Sequence, residues 1–182
     1  YGSLQGYKKG KLKNVLFGRP TLFNFGLDFY NSDYSDKVLI GTYYKRTAEQ
    51  VTYDPWLIGQ MSFENDLDLE VGIRHHFYEL DVYNKTTSKQ KLHNKSSDTN
   101  AWSLGGTKKI DDKNLLNFKL SKSFRAPKVD EVLHYGGAIS TVEHQNSKMF
   151  ELGYKFNFDN IIIKTNAFKS EINNLIYWNG TV

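Results

Sequence analysis

Strict two-residue alternation, repeated along the chain, decides what this sequence can become. Leu67, Leu69, Val71 and Ile73 alternate with Asp68, Glu70, Gly72 and Arg74. Leu116, Phe118 and Leu120 alternate with Asn117, Lys119 and Ser121, and Phe150, Leu152, Tyr154, Phe156 and Phe158 alternate with Glu151, Gly153, Lys155 and Asn157. Successive β side chains point to opposite faces, so each stretch predicts a strand that is apolar on one side and polar on the other. Phe23, Phe25, Leu27 and Phe29 follow the same rule, as do Leu57, Gly59, Met61 and Phe63, and Ile161, Ile163, Thr165 and Ala167. No helical period of any length and no repeat beyond the hairpins interrupts them. The prediction is an all-β antiparallel sheet of seven or eight strands.

The connections between these strands alternate in length. Short turns are predicted at 64–66, 111–113 and 159–160, and long polar loops at 31–47, 79–99 and 128–145. Outer-membrane barrels have short turns at one rim, longer loops at the other, and strands of about ten residues. A soluble sandwich can mimic two or three such steps; six in order favour a barrel. An Arg or Lys facing lipid at mid-membrane costs about 2–4 kcal/mol, and the best-patterned strands keep their charges on the polar face. Composition agrees, since 12 Tyr and 12 Phe sit in a chain that is polar on average, as aromatic girdles on alternating strands require. No run of about 18 apolar residues predicts a membrane helix, which leaves a barrel open. A net charge of +4 suits anionic ligands or lipopolysaccharide, and equally a solvated lysine-rich surface.

Local details carry further expectations. Residues 1–19 are Gly- and Lys-rich and are expected to hold only the end of a strand and a turn. Pro55 lacks an N–H and is expected near the loop end of its strand or at a bulge. Residues 100–109 predict a weaker strand, and the last strand is expected to continue past Asn173 and Asn174 into Leu175, Ile176 and Tyr177.

The segment after Leu120 reads Ser123-Phe124-Arg125-Ala126-Pro127, then Glu131, then a loop, then Glu151-Leu152-Gly153-Tyr154. This order resembles the late barrel of the TonB-dependent outer-membrane receptors: a strand ending in S-F-R-A-P, an x-x-x-E segment, an outside loop, and a strand containing E-L-G-Y. The resemblance implies an antiparallel transmembrane β-barrel of 22 strands with a plugged lumen, of which residues 1–182 would be an internal part. The plug domain and the final strands are expected outside it, because an open piece would leave two unpaired edges.

The resemblance also implies a function. Such receptors bind a scarce metal complex, a ferric siderophore or haem, in their outer loops, and import it with energy from the TonB complex, reached through the plug. The lipid bilayer and lipopolysaccharide of the bacterial cell outer membrane would be the other partners. In haem receptors of this family an F-R-A-P segment and a later N-P-N-L flank a loop with a haem-binding His. Here His134 lies in that loop beside Tyr135, His144 lies near its end, and Glu143-His144-Gln145-Asn146 stands where N-P-N-L would be. Neutral imidazole suits haem iron.

Candidate ligand contacts are therefore Arg125, His134, Tyr135 and His144, with Tyr43, Tyr44 and Arg46 in the first loop. Tyr30, Tyr34, Tyr43, Tyr44 and Tyr53, with Lys45 and Arg46, could hold an anionic aromatic chelate through stacking and cation–π contacts. They could equally form the outer aromatic girdle. The motif itself has a structural reading: Pro127 ends strand pairing, and Arg125 pairs with Glu131 or Asp130. His75 and His76 are adjacent on a strand, face opposite sides, and cannot share one metal.

Other classes find no support. There is no G-x-S-x-G, H-E-x-x-H, phosphate loop or Cys, so no enzyme, resident cofactor or metal centre is expected. The lysines are scattered rather than gathered into a nucleic-acid surface. A passive porin or adhesin barrel without a plug remains the second reading, and a soluble β-sandwich binding module the third.

Overall fold

The computed structural model describes residues 2–16, 18–38, 44–84, 90–132 and 142–176. Eight strands follow in chain order: β1 (Gly2–Leu16), β2 (Arg19–Val38), β3 (Tyr44–Phe63), β4 (Leu67–Asn84), β5 (Gln90–Lys109), β6 (Asn114–Arg125), β7 (Gln145–Phe158) and β8 (Ile161–Asn173). A single helical turn, α1 (Val129–Val132), lies between β6 and β7. The strands form one sheet in sequence order, and every neighbouring pair is antiparallel. Among the described residues β1 and β8 do not pair, so the sheet is open at both edges.

The short turns fall where the sequence predicts them. Asp66 (φ 56°) and Asp159 (φ 45°) take the left-handed backbone that Asp tolerates better than most side chains. In the third turn Asp111 accepts the backbone N–H groups of Lys113 and Asn114, both at 2.8 Å.

The connection between β6 and β7 is as long as predicted, but the other two long connections are much shorter. β2 reaches Val38 and β3 begins at Tyr44, β4 reaches Asn84 and β5 begins at Gln90, and β1 occupies most of the first nineteen residues. Backbone ladders need no apolar side chains, so the strands continue where the hydropathy signal has stopped. Pro55 also departs from expectation. It lies in mid-strand opposite Leu27, with the β3–β4 register unchanged on either side, Tyr53 opposite Phe77 and Trp56 opposite Arg74. The last strand stops at Asn173, and Asn174 (φ 55°) turns the chain away.

Strands β2 to β5 are 18 to 20 residues long, nearly twice what a membrane requires. Their two faces show how the length divides. One face, here the Ile73 face, carries Leu67, Leu69, Val71, Ile73 and Phe77 along β4; the other, the Arg74 face, carries Asp68, Glu70, Arg74 and His76. Phe29, Tyr53 and Phe77 stand in one row across β2, β3 and β4 on the Ile73 face, with the Phe29 and Tyr53 rings 5.2 Å apart. From Leu67 to Phe77 is ten residue steps, about 33 Å along a strand. Tilted by about 45°, that gives a height near the ~25 Å apolar band of outer-membrane barrels.

Beyond this aromatic row the polarity of the faces exchanges. Glu79 on the Ile73 face is exposed, while Tyr78, Leu80 and Val82 on the Arg74 face are 1%, 0% and 0% exposed. They form the main apolar core with Ala48, Val129 and Val132, and Tyr34 and Ala126 pack against it. The core therefore sits above the band, where α1 and the segment before it cover the Arg74 face of β3 and β4.

Candidate functional site

The site forms where β6 leaves the sheet. β5 and β6 pair only as far as Trp102 and Lys122. Above that level β6 keeps β7, with Phe124 opposite Asn146 and Arg125 opposite Gln145, and crosses onto the Arg74 face, where the Phe124 ring lies 4.8 Å from His76. Pro127 is fully buried there. Lacking an N–H, it ends the ladder without leaving a buried donor unpaired.

Glu131 fixes the turn that follows. It accepts from the Arg125 guanidinium and, at 2.7 Å, from the Lys128 backbone N–H. The second bond is half of a capping box, in which a carboxylate at the third helical position reaches back to the N-cap amide. The Lys128 carbonyl accepts from Glu131 N and Val132 N at 3.1 and 3.2 Å. Arg125 thus pairs with Glu131, as the structural reading of the motif expects, and both hold α1 against the core.

Beneath α1 lies a polar row that sequence reasoning passed over. Asp28 and Asp54 stand directly opposite on β2 and β3, and His76 follows in the same row on β4 by the β3–β4 register. Like charges opposite one another destabilise a sheet. Arg74, two residues away from His76, removes the conflict: its guanidinium pairs with Asp54 and lies 3.4 Å from Asp28. His76 Nδ1 bonds the other Asp54 oxygen. Asp54 and His76 are 6% and 5% exposed.

His144 descends onto this row from the segment before β7. Its ring stands nearly perpendicular to His76 and Tyr78, 5.7 Å from each, and it is 8% exposed. Lys95 on β5 donates to the Val142 carbonyl and holds the same segment. Burial keeps the His144 imidazole below its ordinary range. The only sequence clue to the cluster is the run Arg74, His76, Tyr78 at alternate positions; its partners become visible only with the register.

The other predicted residues are distributed as follows. Arg46 is buried on the Arg74 face, 4% exposed, beside Ala48, and Tyr44 opens β3 opposite Val38. Tyr43, His134 and Tyr135 lie outside the described residues. The tyrosines expected to act together divide between faces: Tyr34 packs on the core, whereas Tyr53 joins the aromatic row. His75 and His76 do face opposite ways; the His75 ring meets Phe77 at 4.4 Å.

In the E-L-G-Y strand, Leu152 and Tyr154 lie on the Ile73 face, and Tyr154 donates its hydroxyl to Asn114. Glu151 and Gly153 lie on the other. Glu151 stands opposite Lys119 and lines a trough of about 540 Å³ with Gln60, Asp68, Glu70 and Asn117. The Asn117 side chain leans over Gly153 so closely that a Cβ would sit 2.5 Å from it; no other residue fits without displacing that amide.

Comparison with known proteins agrees with this architecture. Residues 2–182 match the family model described as TonB dependent receptor-like, beta-barrel. No curated protein matches. Among solved structures, the unliganded ferric citrate transporter FecA superposes with TM-score 0.75 at 14% identity, over 99% of this chain and 30% of that one. The ferric yersiniabactin uptake receptor FyuA of Yersinia pestis gives 0.68 at 10% identity, over 95% and 29%. The ferric-catecholate import receptor Fiu of E. coli K12 gives 0.62 at 11%, over 94% and 31%. The chain thus spans about a third of the length of these structures. Eight antiparallel strands with one lipid-type face, and a family match along nearly every residue, place the chain in the TonB-dependent receptor-like β-barrel family.

Proposed function

We propose that this chain forms part of the wall of a bacterial outer-membrane receptor that imports a ferric siderophore or haem with energy supplied through TonB. The observation that carries the reading is the family match over residues 2–182. Three structures sharing the fold are described as a ferric citrate transporter, a ferric-catecholate import receptor and a ferric yersiniabactin uptake receptor, which favours an iron chelate as cargo. The plug and the remaining strands lie outside residues 1–182 in this reading, and TonB acts through that plug. No bond-breaking chemistry is needed; the coupling is conformational.

The ends of β2, β3, β4 and β5 remote from the short turns face outward in this reading and meet the cargo. Tyr43, Tyr44, His134 and Tyr135 are the proposed contacts there. Arg46, Arg125 and His144, held against the wall, shape the floor beneath them. The Ile73 face below the aromatic row meets lipid, and lipopolysaccharide surrounds the rim.

The test is growth of a deletion strain on single iron sources. Restoration by the gene on one siderophore or on haem identifies the cargo. Equal growth with and without the gene on every source refutes the import reading. For haem, His134→Ala should abolish growth on haem while leaving receptor abundance unchanged; full growth removes His134 as a contact.

A further inference from the structure

We infer that His76, His144 and Tyr78 form a binding site for a divalent first-row transition metal ion, such as Zn²⁺ or Cu²⁺, beneath α1. The first observation is an unusual concentration of unpaired polar atoms. His76 Nε2, His144 Nε2 and the Tyr78 hydroxyl are all buried, and none has a hydrogen-bonding partner among the described residues. A buried polar atom without a partner is destabilising and calls for a specific explanation. Here three occur on three side chains whose ring centres lie 5.7 to 6.2 Å from one another.

The second observation is how His76 is held. Its Nδ1 is bonded to the Asp54 carboxylate. A carboxylate at one ring nitrogen fixes the tautomer with its proton there, leaves a lone pair at Nε2, and raises that nitrogen's basicity. Metal-ligating histidines are oriented in this way. Asp54 is itself fixed by Arg74, so the Nε2 atom is aimed by two shells of contacts.

Distance and donor type also fit. A metal–nitrogen distance of about 2.0–2.1 Å sets the centres of two imidazoles sharing one ion roughly 5–6 Å apart, and His76 and His144 are 5.7 Å apart. Two nitrogens and a phenol oxygen match a borderline-soft ion better than Ca²⁺ or Mg²⁺, which select oxygen ligands. Among the described residues no three His, Cys, Asp or Glu side chains form a metal cage. With three protein donors, a four-coordinate ion would keep at least one position for water or another donor. Because β4 supplies His76 and Tyr78 and the segment before β7 supplies His144, the ion would tie that segment to the wall. The inference holds whatever the imported cargo is.

The full-length receptor, purified in detergent and stripped with chelator, is titrated with Zn²⁺ alone, and with Cu²⁺ alone for electron paramagnetic resonance. One tightly bound ion per receptor, with a Cu²⁺ spectrum split by two imidazole nitrogens, is expected. His144→Gln and Asp54→Asn should each weaken Zn²⁺ binding about 10- to 100-fold, while His75→Ala and His93→Ala leave it unchanged. Tyr78→Phe keeps the ring and should change the spectrum without removing its nitrogen splitting. No stoichiometric binding by the wild-type receptor, a spectrum with no more than one nitrogen, or affinity unmoved in a folded His144→Gln receptor overturns the inference. The first result would also mean that water or protein groups satisfy the three atoms.

Discussion

The exchange of face polarity above the aromatic row predicts a charge-tolerance pattern along β4 that changes parity partway up one strand. Four arginine substitutions read it. Val71 lies near the middle of the span from Leu67 to Phe77, faces outward and is 51% exposed; Val71→Arg should cost about 2–4 kcal/mol. Glu70, its neighbour on the other face, is exposed, and Glu70→Arg should stay within about 0.5 kcal/mol. Higher up the order reverses. Glu79 is on the same face as Val71 but is exposed beyond the apolar band, so Glu79→Arg should again stay within about 0.5 kcal/mol. Leu80 is 0% exposed in the core. Loss of the leucine alone costs about 2–5 kcal/mol, before any term for burying the guanidinium. The measurement is denaturant unfolding of the full-length receptor in lipid vesicles, followed by tryptophan fluorescence, with heat-modifiable gel mobility to score the folded fraction. Damage at 71 and 80, with 70 and 79 tolerated, is the expected result. Damage at both odd positions and neither even one would mean the lipid-facing side continues unchanged to the top of β4, and the core assigned above the band would be wrong.

Three further expectations concern polar groups. Glu131→Ala removes both the Arg125 ion pair and the Lys128 cap; a loss of about 1–2 kcal/mol should show as faster amide exchange in 129–132, and exchange equal to wild type would refute the anchoring role. Arg74→Met leaves Asp28 and Asp54 opposed and should destabilise by about 1–3 kcal/mol, with Asp54→Asn restoring part of the loss in the double variant; additive losses would show that charge repulsion is not the cause. Asp111 is held below its ordinary value near 3.8, first by the Asn114 side chain and then by the Lys113 amide. A depressed carboxyl pKa stabilises the turn fully above about pH 4 and loses that contribution as pH falls through the folded value. Amide protection at Lys113 and Asn114 should therefore drop in acid for wild type but not for Asp111→Asn, and a matching acid step in both would exclude Asp111 as its source.

What could be seen in the sequence was set by hydropathy contrast. Inside the apolar band, strands such as Leu67–Ile73 and Phe150–Phe158 must separate lipid from water, so their alternation is strong and their positions were plain. Outside it the contrast vanishes. Residues 31–38 and 90–99 contain few apolar side chains, yet they extend β2 and β5 because the neighbouring strands offer a ready ladder. Tyr78, Leu80 and Val82 continue the alternation but on the opposite face, which a reading that assumes one apolar side takes for the end of the strand. That Arg125 pairs with an acidic residue just after the motif, Glu131 or Asp130, was legible, and the structure gives Glu131. The Asp28–Asp54–Arg74–His76 row was not, because three strands contribute to it and single-sequence reasoning supplies no register.

These layers explain why F-R-A-P and the glutamate after it occur together at this place in the chain. A strand that simply continued upward beside β5 would leave the Arg74 face of β3 and β4 open above the band, with Leu80, Val82 and Ala48 exposed to water. Covering them requires the chain to leave β5, cross the face and stop pairing at once. Phe124 begins the crossing against His76, Pro127 ends the ladder within the core, and Arg125 reaches forward to the carboxylate that starts α1. Val129 and Val132, 8% and 0% exposed, then complete the core, each contributing about 1.5–3 kcal/mol by burial. The segment that follows leads to 133–141 and returns through His144 to the same wall. His144 packs beside His76, and α1 packs on the core of the same face. Movement of 142–144 would be transmitted to the Asp54 row through packed rings and ion pairs. Exchange protection at Val142, Glu143 and His144 should therefore fall together with that of α1 in Glu131→Ala; protection at 142–144 that is unmoved while α1 opens would show the two anchors to be independent.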